Sequence, residues 1–525
     1  MSLSALDAAM VVAYGIFIFA LAQWVSRRQV AADSAGYFLA DRALPWWAIG
    51  TSLIAANISA EQIVGMAGSG YAIGLAIASY EWMAAATLLI VGWVFLPVFL
   101  KHRIATMPQF LETRFGPRLR TVMAVFWLAL YVFVNLTSIL WLGSIAVHQV
   151  AGVNQDLALA GLGVFALAYQ IRGGLKAVAM TDIVQVSLLV AGGLIIAGLT
   201  LGRIGAGAGI GAGWATLTAR LPEHFHMILH KGDAHYKDLP GLSVLFGGLW
   251  IANLSYWGFN QYIIQRTLAA RSLGEARGGI VLAAALKLLM PVIIVLPGIA
   301  AAVLAPGLAK PDQAYPAMMH LLPPGLLGLV FAALTAAIIA STASKINSIA
   351  TIFTLDIYAR KLNPAASEAR QVAVGRIAAC VACLVGIAAA RPLLGGLDQA
   401  FQYIQEFSGF VTPGITVIFL TGLFWPRATE NGALAGALAS VGLSLAFWFP
   451  ARLGGSASLN AVPFMDRMGL VFLASLGLTV AVSLAGRAPQ GAGVLAGVSF
   501  RAGRGFALAA ALVVAILVAL YAVWW

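Results

Sequence analysis

Runs of about twenty apolar residues recur from one end of this chain to the other, and their length dictates the fold class. Each run can cross the hydrocarbon of a bilayer as a helix. Of 525 residues, 61% are hydrophobic and 10% charged, which excludes a soluble globular protein. The pattern predicts an all-α polytopic membrane protein of about 14 transmembrane helices. They are expected at 5–25, 43–72, 75–100, 120–150, 153–172, 178–203, 242–268, 280–306, 325–357, 373–390, 397–425, 429–450, 466–486 and 505–525. The first run, from Ala8 to Trp24, lacks a basic leader and leads on into the chain, so no cleavable signal peptide is expected.

The net charge of +12 does not point to nucleic acid, because the basic residues fall in short loops. Arg27 and Arg28 follow span 1. Lys101, Arg103, Arg114, Arg118 and Arg120 follow span 3, and Arg172 and Lys176 follow span 5. Arg266, Arg271 and Arg277 follow span 7, and Arg360, Lys361, Arg370 and Arg376 follow span 9. All these loops share one side, which the positive-inside rule makes cytoplasmic. Both termini then face outward, and the expected location is the inner (plasma) membrane. Trp46, Trp47, Trp524 and Trp525 stand at span ends, where tryptophan anchors in the interface. The longest loop, 204–241, lies outside and is expected to carry a short surface helix around Leu221 to Leu229.

One span departs from the apolar pattern. Ser52 to Gly70 carries Asn57, Ser59, Glu61 and Gln62 within six positions, flanked by small residues. Polar groups at membrane depth are costly and face a cavity or a pathway. A broken helix whose freed backbone groups form a binding site accounts for them. Span 7 has a similar interruption at Ala252 to Gln261. The two lie five spans apart, and an odd offset inverts the second set in the membrane. The expected organisation is a first inverted repeat at 43–203 and a second at 242–425, flanked by 1–42 and 426–525, with a site between the first helices of each.

The intramembrane polar residues indicate what binds there. A lone serine or asparagine is accounted for by helix–helix hydrogen bonds of about 0.6 kcal/mol, which covers Ser344, Asn347 and Asn260. Glu81 and Lys287 need a stronger reason, since an unpaired ion mid-membrane costs at least about 2.5 kcal/mol. Gln62, Glu81, Asn253, Lys287 and Gln405 come from five spans and offer many donors and acceptors. Such a set suits the hydroxyls of a sugar, and Tyr256 offers an aromatic floor for its C–H face.

These residues carry a family resemblance. Leu44-Pro-Trp-Trp47, Tyr37-Phe-Leu-Ala40, Ser52 to Gly70, Ala76 to Met83, Asp182-Ile-Val-Gln185, Tyr256 to Ala270, Ile352 to Tyr358 and Gln399 to Gly409 resemble the sodium/solute symporter family. Within it the chain is similar to the bacterial sodium/galactose–glucose symporters. The resemblance implies ten core helices in two inverted five-helix repeats, of the LeuT type. It implies sugar contacts at Gln62, Glu81, Asn253, Lys287 and Gln405, an inner gate at Tyr256 held by Asn57, and an outer gate of Met66, Tyr80 and Phe401. It implies a sodium site at Ala55, Ile58, Ala337 and Ser341, but Ala340 stands where the family has a further hydroxyl. Thr342 points about 100° away around the helix and does not replace it. Asp182 matches an acidic residue near the sodium exit route.

Lys345 lies four residues after Ser341, on the same helix face. Two accounts stand open. It pairs with Asp182 and replaces sodium electrostatically or couples to protons, or it snorkels to the cytoplasmic interface without a role. Glu61 has no assigned role. Cys380 and Cys383 lie within an apolar span and read as small packing residues. His224, His226, His230 and His235 read as a solvated outer loop, and Arg114, Arg118 and Arg120 as topological charges.

The expected function is secondary active transport, a sodium-coupled import of a hexose such as galactose or glucose by alternating access. The alternatives are a proton-coupled or uncoupled sugar carrier, and a membrane sugar sensor. An enzyme is not expected, because the metal or nucleophile clusters of intramembrane enzymes are absent from the sequence. The expected partners are the sugar, Na+ or H+ and the bilayer, with the protein a monomer or weak homo-oligomer.

Overall fold

A computed structural model describes residues 3–27, 42–104, 106–170, 175–452, 462–487 and 493–525; the side chains of 22–27, 169–170, 175–180 and 450–452 are also outside the description. The Tyr37–Ala40 motif, Arg28, Arg172 and the side chains of Arg27 and Lys176 therefore lie outside the described residues. The helices that build the site are, in order, α1 (Ala5–Arg27), α2 (Trp46–Asn57), α3 (Met66–Ile73), α4 (Ser79–Ile90), α5 (Thr137–Ala151), α6 (Leu175–Ile204) and α7 (Ile210–Arg220). They continue with α8 (Gly248–Phe259), α9 (Gln261–Leu268), α10 (Leu273–Ile293), α11 (Val295–Leu304), α12 (Leu326–Ile352), α13 (Ala400–Ser408) and α14 (Thr412–Phe424).

Each of the fourteen expected spans coincides with helical structure. Among the described residues, nine continuous helical stretches are long and apolar enough to cross a bilayer, and α13–α14 form a tenth bent by 43°. Two shorter apolar helices, at 5–21 and 155–168, accompany them. The remaining two expected spans are the interrupted ones, α2–α3 and α8–α9.

Both interruptions turn on one extended residue. Ile58 (φ −68°, ψ 105°) stops α2, and Ser59 restarts the chain: its Oγ accepts from Glu61 N at 3.2 Å and its carbonyl from Ile63 N at 3.0 Å. A π-helical turn at Glu61–Gly65 then leads into α3. Such turns add one residue per turn and recur at functional sites. Asn260 (φ −86°, ψ 122°) separates α8 from α9, and its side chain accepts from Tyr131 OH at 2.7 Å. That bond is the helix–helix role expected for it.

Glycines bring the broken helices close to their neighbours. A Cβ on Gly50 of α2 would lie 2.8 Å from the Gly279 carbonyl of α10, and one on Gly298 of α11 would lie 2.1 Å from the Ala67 carbonyl of α3. This is small-residue packing, in which helices lacking a hydrophobic drive within lipid gain dispersion by close approach. Leu44 and Ala270 form an isolated parallel bridge, with Leu44 N donating to Ala269 O at 3.1 Å. It ties the ends of the two broken helices together. Asp7 of α1 accepts from Gly325 N and Gly328 N at 2.7 and 2.8 Å and so anchors the start of α12.

Several expectations need correction. The outer-loop helix is α7, at Ile210–Arg220, followed by a single 3-10 turn at Pro222–Phe225; it does not cover Leu221 to Leu229. Trp214 on α7 packs against Phe225 and Trp524 at 5.4 and 5.7 Å, so Trp524 fastens this loop. Arg266 and Arg277 are not loop residues. Both are buried within helices α9 and α10.

The segment between α11 and α12 packs against α3 and α13. Asp312 there is 1% exposed and accepts from Ala400 N of α13 at 3.1 Å, beside Gly68. Burial pushes its carboxyl up to about 7, against the opposing pull of that N–H. A raised carboxyl pKa makes the folded state hold its proton longer than the unfolded one, so stability falls as pH rises from about 4 to 7. The penalty on the charged form is ~4 kcal/mol at most. Asp312→Asn keeps an oxygen for Ala400 N. It is expected to raise the melting temperature at pH 8 and leave it unchanged at pH 4. Parallel melting curves of the wild type and the variant across that range would contradict this.

Candidate functional site

A cavity of about 910 Å³, counted with its open mouth, lies between the two broken helices. Gln62, Glu81, Asn253, Lys287 and Gln405 all line it, together with Tyr256, Asn57, Tyr80 and Phe401. The first five come from five separate spans, and the fold brings them to one place. Met66 is fully buried at the start of α3 and does not line the cavity.

Part of the polar lining is one network. Lys287 Nζ donates to Glu81 Oε2 at 2.5 Å and to Asn57 Oδ1. Gln62 Nε2 donates to Glu81 Oε1 at 2.8 Å and to Asn57 Oδ1 at 3.3 Å. Asn57 Nδ2 in turn donates to Tyr256 OH at 3.1 Å, and Tyr262 OH donates to Tyr256 OH at 2.7 Å. The Lys287 ammonium also stands 4.9 Å from the Trp257 ring centroid. Glu81 and Lys287 therefore satisfy each other. Among the described residues, Asn253 Nδ2 and Tyr80 OH are buried without a hydrogen-bond partner. A ligand rich in hydroxyls supplies both. Across the cavity, the Tyr80 and Phe401 rings meet edge to face at 5.1 Å.

The residues expected to hold a cation lie apart from this cavity. A small pocket is lined by Ala55, Ala340, Ser341, Asp182, Arg266 and Lys345, among others. Ile58 and Ala337 are buried nearby and do not line it. Thr342 Oγ1 donates to Ile338 O at 2.7 Å within its own helix, so it is no substitute for the hydroxyl missing at Ala340.

The Lys345–Asp182 pair does not form. Asp182 accepts from Ser52 Oγ at 3.0 Å and lies 4.0 Å from the Arg266 guanidinium, which also donates to Ser52 Oγ at 3.1 Å. Lys345 is 3% exposed, so it does not snorkel to an interface either. Glu61, given no role from sequence, accepts from Ser138 Oγ and interacts electrostatically with Lys345. Its placement inside a costly medium is the signal that could have found it.

Outside the site, Cys383 packs against the Gly163 carbonyl at 3.4 Å, as a small interhelical residue does. The loop histidines diverge: His224 bonds the Tyr71 carbonyl, His226 the Trp525 carbonyl and His235 the Asp238 carboxylate. Arg114 is more than a topological charge, since it donates to the carbonyls of Gly422, Trp425, Pro426 and Ala428 at and beyond the end of α14.

Comparison with known proteins gives concordant results. A family model described as the sodium:solute symporter family matches residues 37–440. A sodium/glucose cotransporter of Vibrio parahaemolyticus is 46% identical over 546 aligned residues, covering 100% of this chain and 99% of that protein. A sodium/myo-inositol cotransporter 2 of Bos taurus is 36% identical over 85% of this chain and 70% of its own length. Among solved structures, a Na+-coupled sialic acid symporter in a substrate-bound outward-open state superposes with a TM-score of 0.78. It is 22% identical over 93% of this chain and 99% of its own. The fold is therefore that of the LeuT-type transporters, and the chain is a multi-pass membrane protein.

Proposed function

Because this chain belongs to the sodium:solute symporter family, we propose that it imports a hexose, such as galactose or glucose, coupled to sodium by alternating access. The observation that carries this reading is the convergence of Gln62, Glu81, Asn253, Lys287, Gln405 and Tyr256 on one cavity beside both helix breaks. The name of the Vibrio relative supports the choice of a hexose. In this reading the five polar residues hold sugar hydroxyls and Tyr256, held by Asn57, floors the sugar and closes the inner path. Tyr80, Phe401 and Met66 close the outer one.

Sodium enters as co-transported substrate. Carbonyls of Ala55 and Ile58 on the broken helix, with Ala337 and Ser341 on α12, are its proposed ligands. The repeats run over 43–203 and 242–425. The termini face outward, and the protein sits in the inner membrane.

The test is labelled-galactose uptake into proteoliposomes under an inward sodium gradient, a proton gradient or neither. Sodium-stimulated accumulation is expected. Uptake driven equally well without sodium would replace the symport reading by a proton-coupled or uncoupled carrier, which the lysine in the cation pocket would favour. Absence of sugar binding and flux alike would overturn the substrate assignment.

A further inference from the structure

One buried charge has no part in the network just described. The face of α12 that carries Ala337, Ala340, Ser341 and Ser344 continues to Lys345, by the three-and-four spacing of a helix. Lys345 lines the same pocket as Ala55 and Ser341. Its neighbours there are committed elsewhere. Asp182 is taken by Ser52 and Arg266, and the Arg266 guanidinium also donates to the Tyr262 carbonyl. Among the described residues, no carboxylate stands within ion-pair distance of Lys345. Its ammonium lies 4.4 Å from the centroid of the Tyr262 ring. The carboxylate it interacts with at longer range is Glu61.

An ammonium held against a π face, in a pocket lined by Ser341, Ser344 and Ala55 near the end of α2, stands where a desolvated monovalent cation is favoured. Two cations sharing one small pocket repel strongly in a medium of low dielectric. A tethered ammonium also competes at an effective concentration that no dilution lowers.

We propose that Lys345 is a built-in cation that competes with sodium for the pocket formed by Ala55, Ser341 and their neighbours, and so sets how much sodium the carrier requires. This rests on the sodium reading of that pocket. It is independent of which sugar occupies the larger cavity. The missing hydroxyl at Ala340 acts in the same direction, since sodium has one oxygen fewer to set against the lysine.

The test uses radioactive sodium binding to the purified full-length protein in detergent, without sugar. Lys345→Met is expected to tighten sodium binding by about tenfold or more. Adding Ser341→Ala to that variant is expected to remove the gain, which places the new affinity in this pocket. A gain of affinity is a readout that a merely structural lysine would not give. Because Lys345→Met leaves Glu61 without its counter-charge, Glu61→Gln/Lys345→Met serves as the second variant should the first fail to fold.

Sodium affinity within twofold of wild type in the variant that folds would overturn the proposal, as would weaker binding. Sodium binding by neither wild type nor variant would overturn it too. Galactose binding measured in parallel shows whether the sugar assignment stands regardless. Wild type without detectable sodium binding alongside a variant that binds it would support the proposal in its strongest form.

Discussion

Lys287→Ala is expected to abolish saturable sugar uptake and to lower the stability of the protein at the same time. Lys287 is 1% exposed, and its ammonium bonds Glu81 and Asn57. Removing one member of a buried ion pair leaves the other charge uncompensated, a cost of about 3–5 kcal/mol. Glu81 would keep only the bond from Gln62. From sequence alone, truncating Lys287 reads as a loss of ligand contact with the fold intact. The ion pair changes that expectation, and it also supplies the control. Glu81→Gln/Lys287→Met removes both charges and is expected to recover most of the lost stability, since a neutral replacement of a buried pair is tolerated. It should not recover sugar binding, because the ammonium donor is gone. Melting temperatures by tryptophan fluorescence and labelled-galactose binding on the same preparations separate the two effects. Wild-type sugar affinity in the folded double variant would remove Lys287 and Glu81 from the site.

That contrast marks what a sequence of this kind can reveal. Membrane depth makes ionisable residues conspicuous, so Glu81 and Lys287 point to a site by their position within apolar runs alone. The interruption around Asn57 to Gln62 is legible for the same reason, and so is its counterpart ending near Asn260. Which charge meets which is not legible. Arg266 sits at the end of an apolar run and reads as a loop cation, yet helix α9 carries it inward to Asp182 and Ser52. Helical spacing places Lys345 on the correct face but says nothing of the rotation of α6 and α9 against it, and that rotation decides its partner. The role of Trp524 is hidden likewise. An interfacial tryptophan and one that fastens an outer loop share the same position at a span end. Only the packing against Trp214 and Phe225 distinguishes them.

Gly298→Val is expected to be strongly damaging although it lies outside the polar site. A Cβ at this position would lie 2.1 Å from the Ala67 carbonyl oxygen and 2.9 Å from its carbon. Those atoms belong to the backbone of α3, so no side-chain rotation relieves the overlap. Alanine in place of glycine within an exposed helix gains about 1 kcal/mol from propensity. Here that gain is set against overpacking, which costs about 1–3 kcal/mol or more in a filled interior, and β-branched valine adds further volume. The two helices must separate, and α3 also rests on α11 at Gly70, where a Cβ would lie 2.8 Å from the Val295 carbonyl oxygen. Displacing α3 moves the π-helical turn that leads into it and with it Gln62, whose Nε2 reaches Glu81 and Asn57. The expected result is a melting temperature several degrees lower, with sugar affinity reduced in the protein that remains folded. Gly477→Ala supplies the comparison, because it lies in the helix Phe464–Ala485 with no atom within 4 Å of its added Cβ. It should leave stability unchanged or slightly raised. Equal melting temperatures for Gly298→Val and Gly477→Ala would mean that α3 and α11 do not hold the close approach on which the position of Gln62 depends.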